Sequence, residues 1–355
     1  MVNSKFQKLA LRVEHFIQNA SPVERRLRQF NKSRQKLFYK DFWAKPSSNI
    51  GANIESLGYG YERITLGDRS TIVNGSAVML DDHLTLKIMG HKPLTYKLLS
   101  EIGSNVPKHI LVDTSSVSKA YKFLSDHEGA IVVKPAFGTG AGRGVTTRVK
   151  GPKELKKALK KAAYYNNQIL LEEQLSLNSY RLLYLDGKLI DAVERQPPSI
   201  VGDGKSSVKQ LLEQENSQRI NDTQVRSLFL VSRDLDLELS LECQGLSLKS
   251  VPVNGQYVFL KTVINQNNRF ENICVLDAVH PSIESKGSQI CKQLGIALAG
   301  VDLMAPNVTE PWSSAMYINE VNTTPGLHHH YLVSTSRNSS QVAEKILGKL
   351  LSEDA

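Results

Sequence analysis

Cysteine is scarce in this sequence: Cys243, Cys274 and Cys291 are the only three, an odd number separated by 31 and 17 positions. That spacing excludes a disulfide framework and a Cys-x-x-Cys metal knuckle, and it leaves small buried hydrophobes as the reading for all three. No apolar run is long enough to cross a bilayer, and Met1-Val2-Asn3-Ser4-Lys5-Phe6 is not followed by a signal-type apolar core. A cytoplasmic protein with no membrane partner is therefore expected. Both standard phosphate signatures are missing: there is no Gly-x-x-x-x-Gly-Lys-Ser/Thr, and Gly140-Ala141-Gly142-Arg143-Gly144-Val145 lacks the spacing of a dinucleotide fingerprint. Nor do Ser, His and Asp, or Cys and His, recur at a spacing that suggests covalent catalysis.

Acidic residues are few at the N-terminus. Residues 1–45 hold eleven Lys and Arg against Glu14, Glu24 and Asp41, leaving 33 basic and 32 acidic residues of the chain's 44 and 35 for the rest. The net charge of +9 thus belongs to an N-terminal appendage on a nearly neutral body. Such an arm can attract nucleic acid or another anionic partner. Leu27, Phe30, Leu37, Phe38 and Phe42 recur among its charges at helical spacing, however, so a solvated helical face accounts for it and nucleic acid is not the expected partner. At 355 residues, with 41% hydrophobic and 22% charged, the composition is that of a globular chain large enough for two or three subdomains.

The densest local signal is Ile131-Val132-Val133-Lys134-Pro135-Ala136-Phe137-Gly138-Thr139-Gly140-Ala141-Gly142-Arg143-Gly144-Val145. A β-branched run ends in a lysine and enters a loop with glycine at every second position from 138 to 144. Such a loop lets backbone N–H groups approach an anion where a Cβ would intrude. The reading is strand, phosphate-cradling loop, strand; a bare glycine turn is the alternative. Lys134 favours the first, because a lysine closing an apolar strand is costly to bury unless an anion meets it.

Around this loop the chain reads as α+β. Two helices with a break near Ala20-Ser21-Pro22 fill residues 1–44, and short extended pieces over 46–88, with an Asn74-Gly75 turn, suggest a small β domain. Helices are predicted over Lys92–Ile102, Ser116–Ser125, Pro152–Tyr165, Val208–Glu215, Ile283–Leu294 and Ser340–Leu351. Strands are predicted at His109–Val112, Ile169–Glu173, Tyr257–Val263, Ala297–Met304 and Ala315–Glu320, and Tyr180–Leu185 and Lys188–Glu194 form a hairpin across Asp186-Gly187. Leu235, Leu237, Leu239 and Leu241 alternate with polar residues and read as an edge or surface strand.

Several side chains converge on phosphate and metal chemistry. Asp302 is an acid within the apolar strand Gly300-Val301-Asp302-Leu303-Met304, and Glu320 and Asn322 fall on one face of the next strand by period-2 spacing. Two carboxylates and an amide oxygen are hard ligands of the kind Mg²⁺ accepts; polar alternation at a half-exposed edge is the other reading. Glu172-Glu173-Gln174-Leu175 ends a strand, and its carboxylate and backbone could hold an adenine edge. Arg181 and Arg195 lie on the two arms of a hairpin and suit a carboxylate or phosphate, or the surface.

In combination and in this order, Val133-Lys134-Pro135 with its glycine loop, Glu172-Glu173-Gln174-Leu175, Arg181, Glu194-Arg195-Gln196-Pro197-Pro198-Ser199-Ile200-Val201-Gly202-Asp203-Gly204-Lys205, Gly300-Val301-Asp302 and Asn319-Glu320-Val321-Asn322-Thr323-Thr324-Pro325-Gly326-Leu327 resemble the ATP-grasp carboxylate-amine ligases. Within that family the sequence is similar to the ATP-grasp module of cyanophycin synthetase and of the bifunctional glutathione synthetases, over roughly Asp81 to Leu351. The resemblance implies an α+β ATP-grasp fold with the nucleotide between two lobes. It is divided here into an N-terminal region (1–88), a first lobe with the glycine loop (89–175) and a second lobe with the metal site (176–355). The muramyl-ligase-like domain of cyanophycin synthetase has no matching motif, so cyanophycin synthesis is not expected.

The resemblance further implies an ATP- and Mg²⁺-dependent, ADP-forming amide or peptide ligase working through an acyl phosphate, with small-molecule or peptide carboxylate and amine substrates. Alternatives are an ATP-grasp enzyme with a non-amine acceptor and a noncatalytic nucleotide- or nucleic-acid-binding protein. Lys92 and Lys134 would contact phosphates beside Gly138, Gly140 and Gly142, with Glu172 and Glu173 near the adenine amine and the Leu175 backbone on the ring. Ser179 stands where many relatives place an acid for the ribose. Asp302, Glu320 and Asn322 would hold two Mg²⁺ ions, with Mn²⁺ as a substitute, and Arg195 and Arg181 would stabilise the acyl phosphate and tetrahedral species, in interchangeable roles. Val201–Arg219 is expected to close over the phosphates. The basic N-terminus is expected to serve acceptor specificity or a contact in a homo-oligomer, and His328-His329-His330 to be a substrate-side or surface feature.

Overall fold

The computed structural model describes residues 22–113, 116–140, 142–334 and 340–352. The first of the two N-terminal helices falls outside these. The second is the helix Pro22–Tyr39, with Pro22 in its first turn, and a short helix Ala44–Asn49 follows. Contacts group the chain into two units, each drawn from separated stretches. One comprises Pro107–Ser176 and Pro197–Asn267 with the described residues up to Lys32; the other comprises Ser33–Val106, Leu177–Gln196 and Asn268 onward. This interleaving differs from the contiguous boundaries expected at 88 and 175.

In the first unit a four-stranded antiparallel sheet runs in the order His109–Asp113, Gln168–Glu173, Ile131–Pro135, Thr146–Val149. Ile131 and Val133, two apart, point to the same side as Ile169 and Leu171, and the helix Pro152–Tyr165 lays Leu155, Ala158, Leu159 and Ala162 against them. That helix begins where the sequence places it because Pro152 suits the first turn and the Glu154 carboxylate accepts from the Gly151 N–H at 3.0 Å.

Residues Leu235–Cys243 form a helix, not the strand that their alternation suggests. Leu235 and Leu239, one turn apart, pack on the sheet cluster, whereas Leu237 and Leu241 pack on a second cluster with Val208, Leu212, Val258 and Leu260. Because the helix is buried on two opposite faces, its apolar residues repeat every second position. The Asp234 carboxylate starts it by accepting from the Leu237 N–H at 3.2 Å. Val201–Arg219 comprises the end of the short strand Ser199–Val201, a turn in which Asp203 accepts from the N–H groups of Lys205 and Ser206, and most of the helix Val208–Asn221.

The second unit contains a five-stranded antiparallel sheet in the order Asn272–Cys274, Lys188–Arg195, Asn178–Leu185, Leu298–Ala305, Tyr317–Asn322. The central hairpin turns at Asp186 and Gly187, both at positive φ (49° and 72°), as a two-residue turn with this sequence requires. A three-stranded sheet, Asn53–Gly58, Tyr61–Leu66 and Arg69–Val73, matches the extended reading of 46–88 but is not a separate domain. Its Ile64 and Val73 are buried in one cluster with Trp43, Leu183, Leu298 and Leu347, the last from the terminal helix Ser340–Leu350. A three-stranded ribbon of this size cannot bury both faces by itself. Each large aliphatic it shares contributes about 1.5–3 kcal/mol.

Candidate active site

In the first unit Lys134 is buried at the end of its strand, with Nζ 2.8 Å from Glu172 Oε1 on the neighbouring strand. The anion that meets this lysine is Glu172, itself only 4% exposed. The loop after Lys134 divides into two parts. A Cβ on Gly142 would lie 2.6 Å from Val263 Cγ1, and one on Gly144 would lie 2.6 Å from Tyr165 Cδ2 and 2.7 Å from Pro135 Cγ; both glycines also have positive φ. These two hold the loop down. Gly140 has no atom within 4 Å of its Cβ position, and the N–H groups of Gly138 and Gly140 make no hydrogen bond among the described residues. The open half of the loop thus has the free donors that anion binding needs.

Behind the loop, Lys161 donates to the Val145 carbonyl at 3.0 Å and pairs with Asp234, which also pairs with Lys261 at 2.9 Å. Burial pushes the Asp234 carboxyl up, but Lys261 and Lys161 outweigh it and hold it well below the ordinary carboxylate range. At the strand end Glu173 accepts from the Lys108 N–H at 2.8 Å, so its side chain serves the strand edge. Gln174 accepts from the Arg148 N–H at 2.5 Å. The Leu175 N–H and C=O make no hydrogen bond among the described residues, which suits the ring-edge contact expected there.

In the second unit the sheet register does most of the assembling. Asp302 lies opposite Arg181 on one side and Glu320 on the other; Gly300 lies opposite Asn322, and Ser179 opposite Arg195. Directly paired and i, i+2 residues share a face, so Ser179, Arg181, Arg195, Asp302, Glu320 and Asn322 occupy one surface of the sheet. Arg181 grips Asp302 through Nε to Oδ1 and through Nη2 to Oδ2 at 3.1 Å, and Arg195 Nη2 reaches Asp302 Oδ2 at 3.1 Å and Ser179 Oγ at 3.2 Å. Burial alone would raise the Asp302 carboxyl, but the two guanidinium groups hold it below its usual range. Lys92, at the start of the helix Lys92–Glu101, places Nζ 3.2 Å from Glu320 Oε1.

Three cations thus face two carboxylates, leaving an excess of positive charge for an anion. Arg195 Nε is buried with no hydrogen-bond partner among the described residues, a donor awaiting an acceptor. A hard cation also fits this set. Asp302 uses three of about four lone-pair positions, and Asn322, whose Nδ2 lies 3.5 Å from the Gly300 carbonyl, keeps its amide oxygen as a donor to metal. Among the described residues no three His, Cys, Asp or Glu side chains gather as a metal site, so a cation bound to Asp302 and Glu320 would need Asn322 beside them.

Sequence reasoning missed the residues that hold this face in shape. A Cβ on Gly300 would lie 2.8 Å from Pro325 Cβ and 3.1 Å from Arg181 Cδ, so glycine is required for Arg181 to reach Asp302. Tyr96 Oη donates to the Asn319 carbonyl at 2.9 Å, fixing the strand that carries Glu320. Tyr96 carries no signal beyond an ordinary apolar position, and Gly300 stands in the Gly300-Val301-Asp302 stretch without any mark of this packing role. The histidine run is no surface feature: His329 and His330 are buried, and His328 N–H donates to Tyr39 Oη at 3.2 Å. Burial, then Arg181, His330 and Arg195, push the His328 imidazole down to about 3, so it is neutral at physiological pH.

No family model matches the chain. It is 29% identical over 314 residues to the glutathione biosynthesis bifunctional protein GshAB of Mannheimia succiniciproducens, covering 85% of this chain and 41% of that protein. It is 26% identical over 277 residues to the cyanophycin synthetase of Nostoc, covering 77% of this chain and 30% of the relative. The crystal structure of a bifunctional glutathione synthetase from Pasteurella multocida superposes with a TM-score of 0.54 at 26% identity, covering 84% of this chain and 41% of that one. The chain spans less than half the length of these relatives. Among the described residues no helix is long and apolar enough to cross a membrane. The chain is a homologue of the bifunctional glutathione-biosynthesis proteins and the cyanophycin synthetases, and its α+β fold is that of the ATP-grasp ligases.

Proposed function

We propose that this chain is an ATP-dependent, ADP-forming carboxylate-amine ligase. The observation that carries the reading is the single sheet face on which Arg181, Arg195, Asp302, Glu320 and Asn322 meet, with Lys92 paired to Glu320. A carboxylate resists amines at neutral pH because oxide is a poor leaving group. In the first step a carboxylate oxygen attacks the γ-phosphorus of ATP and ADP leaves; in the second the amine nitrogen attacks the acyl carbon, phosphate leaves, and the nitrogen loses its proton.

Each unit contributes its own part. In the first, Gly138 and Gly140 N–H groups and Lys134 receive phosphate oxygens, while Glu172 and the Leu175 backbone receive the adenine edge. In the second, Arg195 and Arg181 offset the charge of the acyl phosphate and the tetrahedral species, and Lys92 that of the phosphates. Asp302, Glu320 and Asn322 would hold Mg²⁺, two ions in this reading, and the bound metal would neutralise phosphate charge. Ser179, already engaged with Arg195, is a neutral contact for a hydroxyl rather than a charged acceptor. No side chain is needed as a covalent nucleophile.

The test is ADP release measured against amino-acid and short-peptide carboxylate and amine pairs. Release that needs both members of a pair, with amide product formed in equal amount, is the expected outcome. ATP hydrolysis stimulated by nucleic acid and indifferent to any pair would overturn the proposal.

A further inference from the structure

The glycine loop of the first unit carries a cation that the chemistry above leaves unused. Arg143 stands between Gly142 and Gly144, the two glycines packed against Val263, Tyr165 and Pro135, so its backbone is held on both sides while its own side chain is exposed. Its Nε donates to the Gly140 carbonyl at 3.2 Å, beside a bond from its backbone N–H to the same oxygen at 3.3 Å. Both Nη groups are left over: among the described residues Arg143 makes no ion pair and no other side-chain hydrogen bond.

The Gly140 oxygen fixes where this fork sits. Three covalent bonds separate that oxygen from the Gly140 nitrogen, so Arg143 Nε lies within roughly 7.5 Å of the Gly140 N–H in the open half of the loop. Neighbouring phosphate groups of one nucleotide can span such a gap. The edge formed by Nη1 and Nη2 faces away from the Nε contact, and a planar fork of this kind matches two oxygens of a phosphate. Charge points the same way. Lys134 is paired with Glu172, and Lys161 and Lys261 share Asp234, so these lysines bring two carboxylates with them. Arg143 brings none.

We propose that Arg143 binds a phosphate group of the nucleotide through Nη1 and Nη2 while Nε keeps its bond to Gly140, adding a charged contact to the N–H groups of Gly138 and Gly140. That the phosphate belongs to ATP rests on the ligase reading above.

Arginine-selective modification tests this on the unaltered full-length chain. Reaction with p-hydroxyphenylglyoxal, followed peptide by peptide in a mass spectrometer, is measured in the presence of Mg²⁺ with ATP, ADP, adenosine or inorganic phosphate at equal concentration. Arg63, an exposed residue of the second unit paired with Glu55, is the internal control. ATP and ADP are expected to slow modification of Arg143 severalfold and to leave Arg63 unchanged, whereas adenosine and inorganic phosphate give no protection. Unchanged modification in the presence of a bound nucleotide, or equal protection by adenosine or by inorganic phosphate, overturns the proposal.

In calorimetric titrations without acid or amine, Arg143→Ala should weaken ATP binding about tenfold, the scale of a hydrogen bond to a charged group, and leave adenosine binding unchanged. Because Arg143 is exposed, the difference should shrink at high salt, and Arg143→Lys should keep the salt dependence of the native chain. A salt-independent loss shared by both variants would mean that Arg143 only ties the loop to Gly140, and it would overturn the proposal. Unaltered ATP binding by Arg143→Ala would remove the contact and leave the ligase reading standing. A native chain that binds neither ATP nor ADP would overturn both.

Discussion

Glu320→Ala is expected to lower ATP-dependent turnover by about a hundredfold or more, the scale of losing a strong electrostatic contact to the transition state, with the circular dichroism spectrum unchanged. Glu320 is directly opposite Asp302 in the ladder and holds Lys92 by an ion pair at 3.2 Å. In the proposed mechanism its loss removes one of two carboxylates for the metal and frees the cation assigned to phosphate. Its side chain is 31% exposed, so truncation leaves no sealed cavity and the fold should tolerate it. Retention of more than about a tenth of the turnover would mean that Glu320 contributes less than one strong contact of this kind, and the metal assignment would fail with it.

Lys134→Ala should act on stability as well as on catalysis. Lys134 and Glu172 form an ion pair with side chains 7% and 5% exposed, and removing the lysine takes the opposite charge away from a buried carboxylate. Breaking a buried pair on one side costs about 3–5 kcal/mol, readable as a lower midpoint in urea unfolding. Replacing both partners, as in Lys134→Met with Glu172→Leu, should recover much of that stability, because a well-packed apolar pair buries no charge. Nucleotide binding should be lost in the single and the double variant alike. An unchanged unfolding midpoint for Lys134→Ala would show that solvent reaches Glu172 freely and that the pair is not buried in solution.

Much of this arrangement can be read from local pattern alone. Ile131–Pro135, its glycine loop and Thr146–Val149 form strand, loop and strand because β-branched residues and glycines impose those conformations regardless of context. The helix Pro152–Tyr165 has the bounds its proline and apolar period indicate. Leu235–Cys243 fails the same logic: period-2 leucines mark a strand only when one face is solvated, and here both faces of a helix are covered.

The carboxylates, the two arginines and Asn322 were legible as residues; their junction on one face was not. It depends on the register between Leu298–Ala305 and its two neighbours, which is long-range information. The same holds for the interleaved units and for the hydrogen bond of Asp191 with His330, 139 positions apart. The histidine run reads as substrate side or surface because burial leaves no mark in composition; burial above all, with two guanidinium groups nearby, lowers the basicity of His328 and His329.

The central claim, that ATP is spent on phosphorylating a carboxylate, is tested most directly by isotope transfer. The acid substrate is labelled with ¹⁸O in its carboxylate, ligation is run with unlabelled ATP in unlabelled water, and the released phosphate is analysed by mass spectrometry. The account predicts one ¹⁸O in each phosphate formed and ADP as the other product. Amide formed with unlabelled phosphate, or with AMP and pyrophosphate, would contradict it.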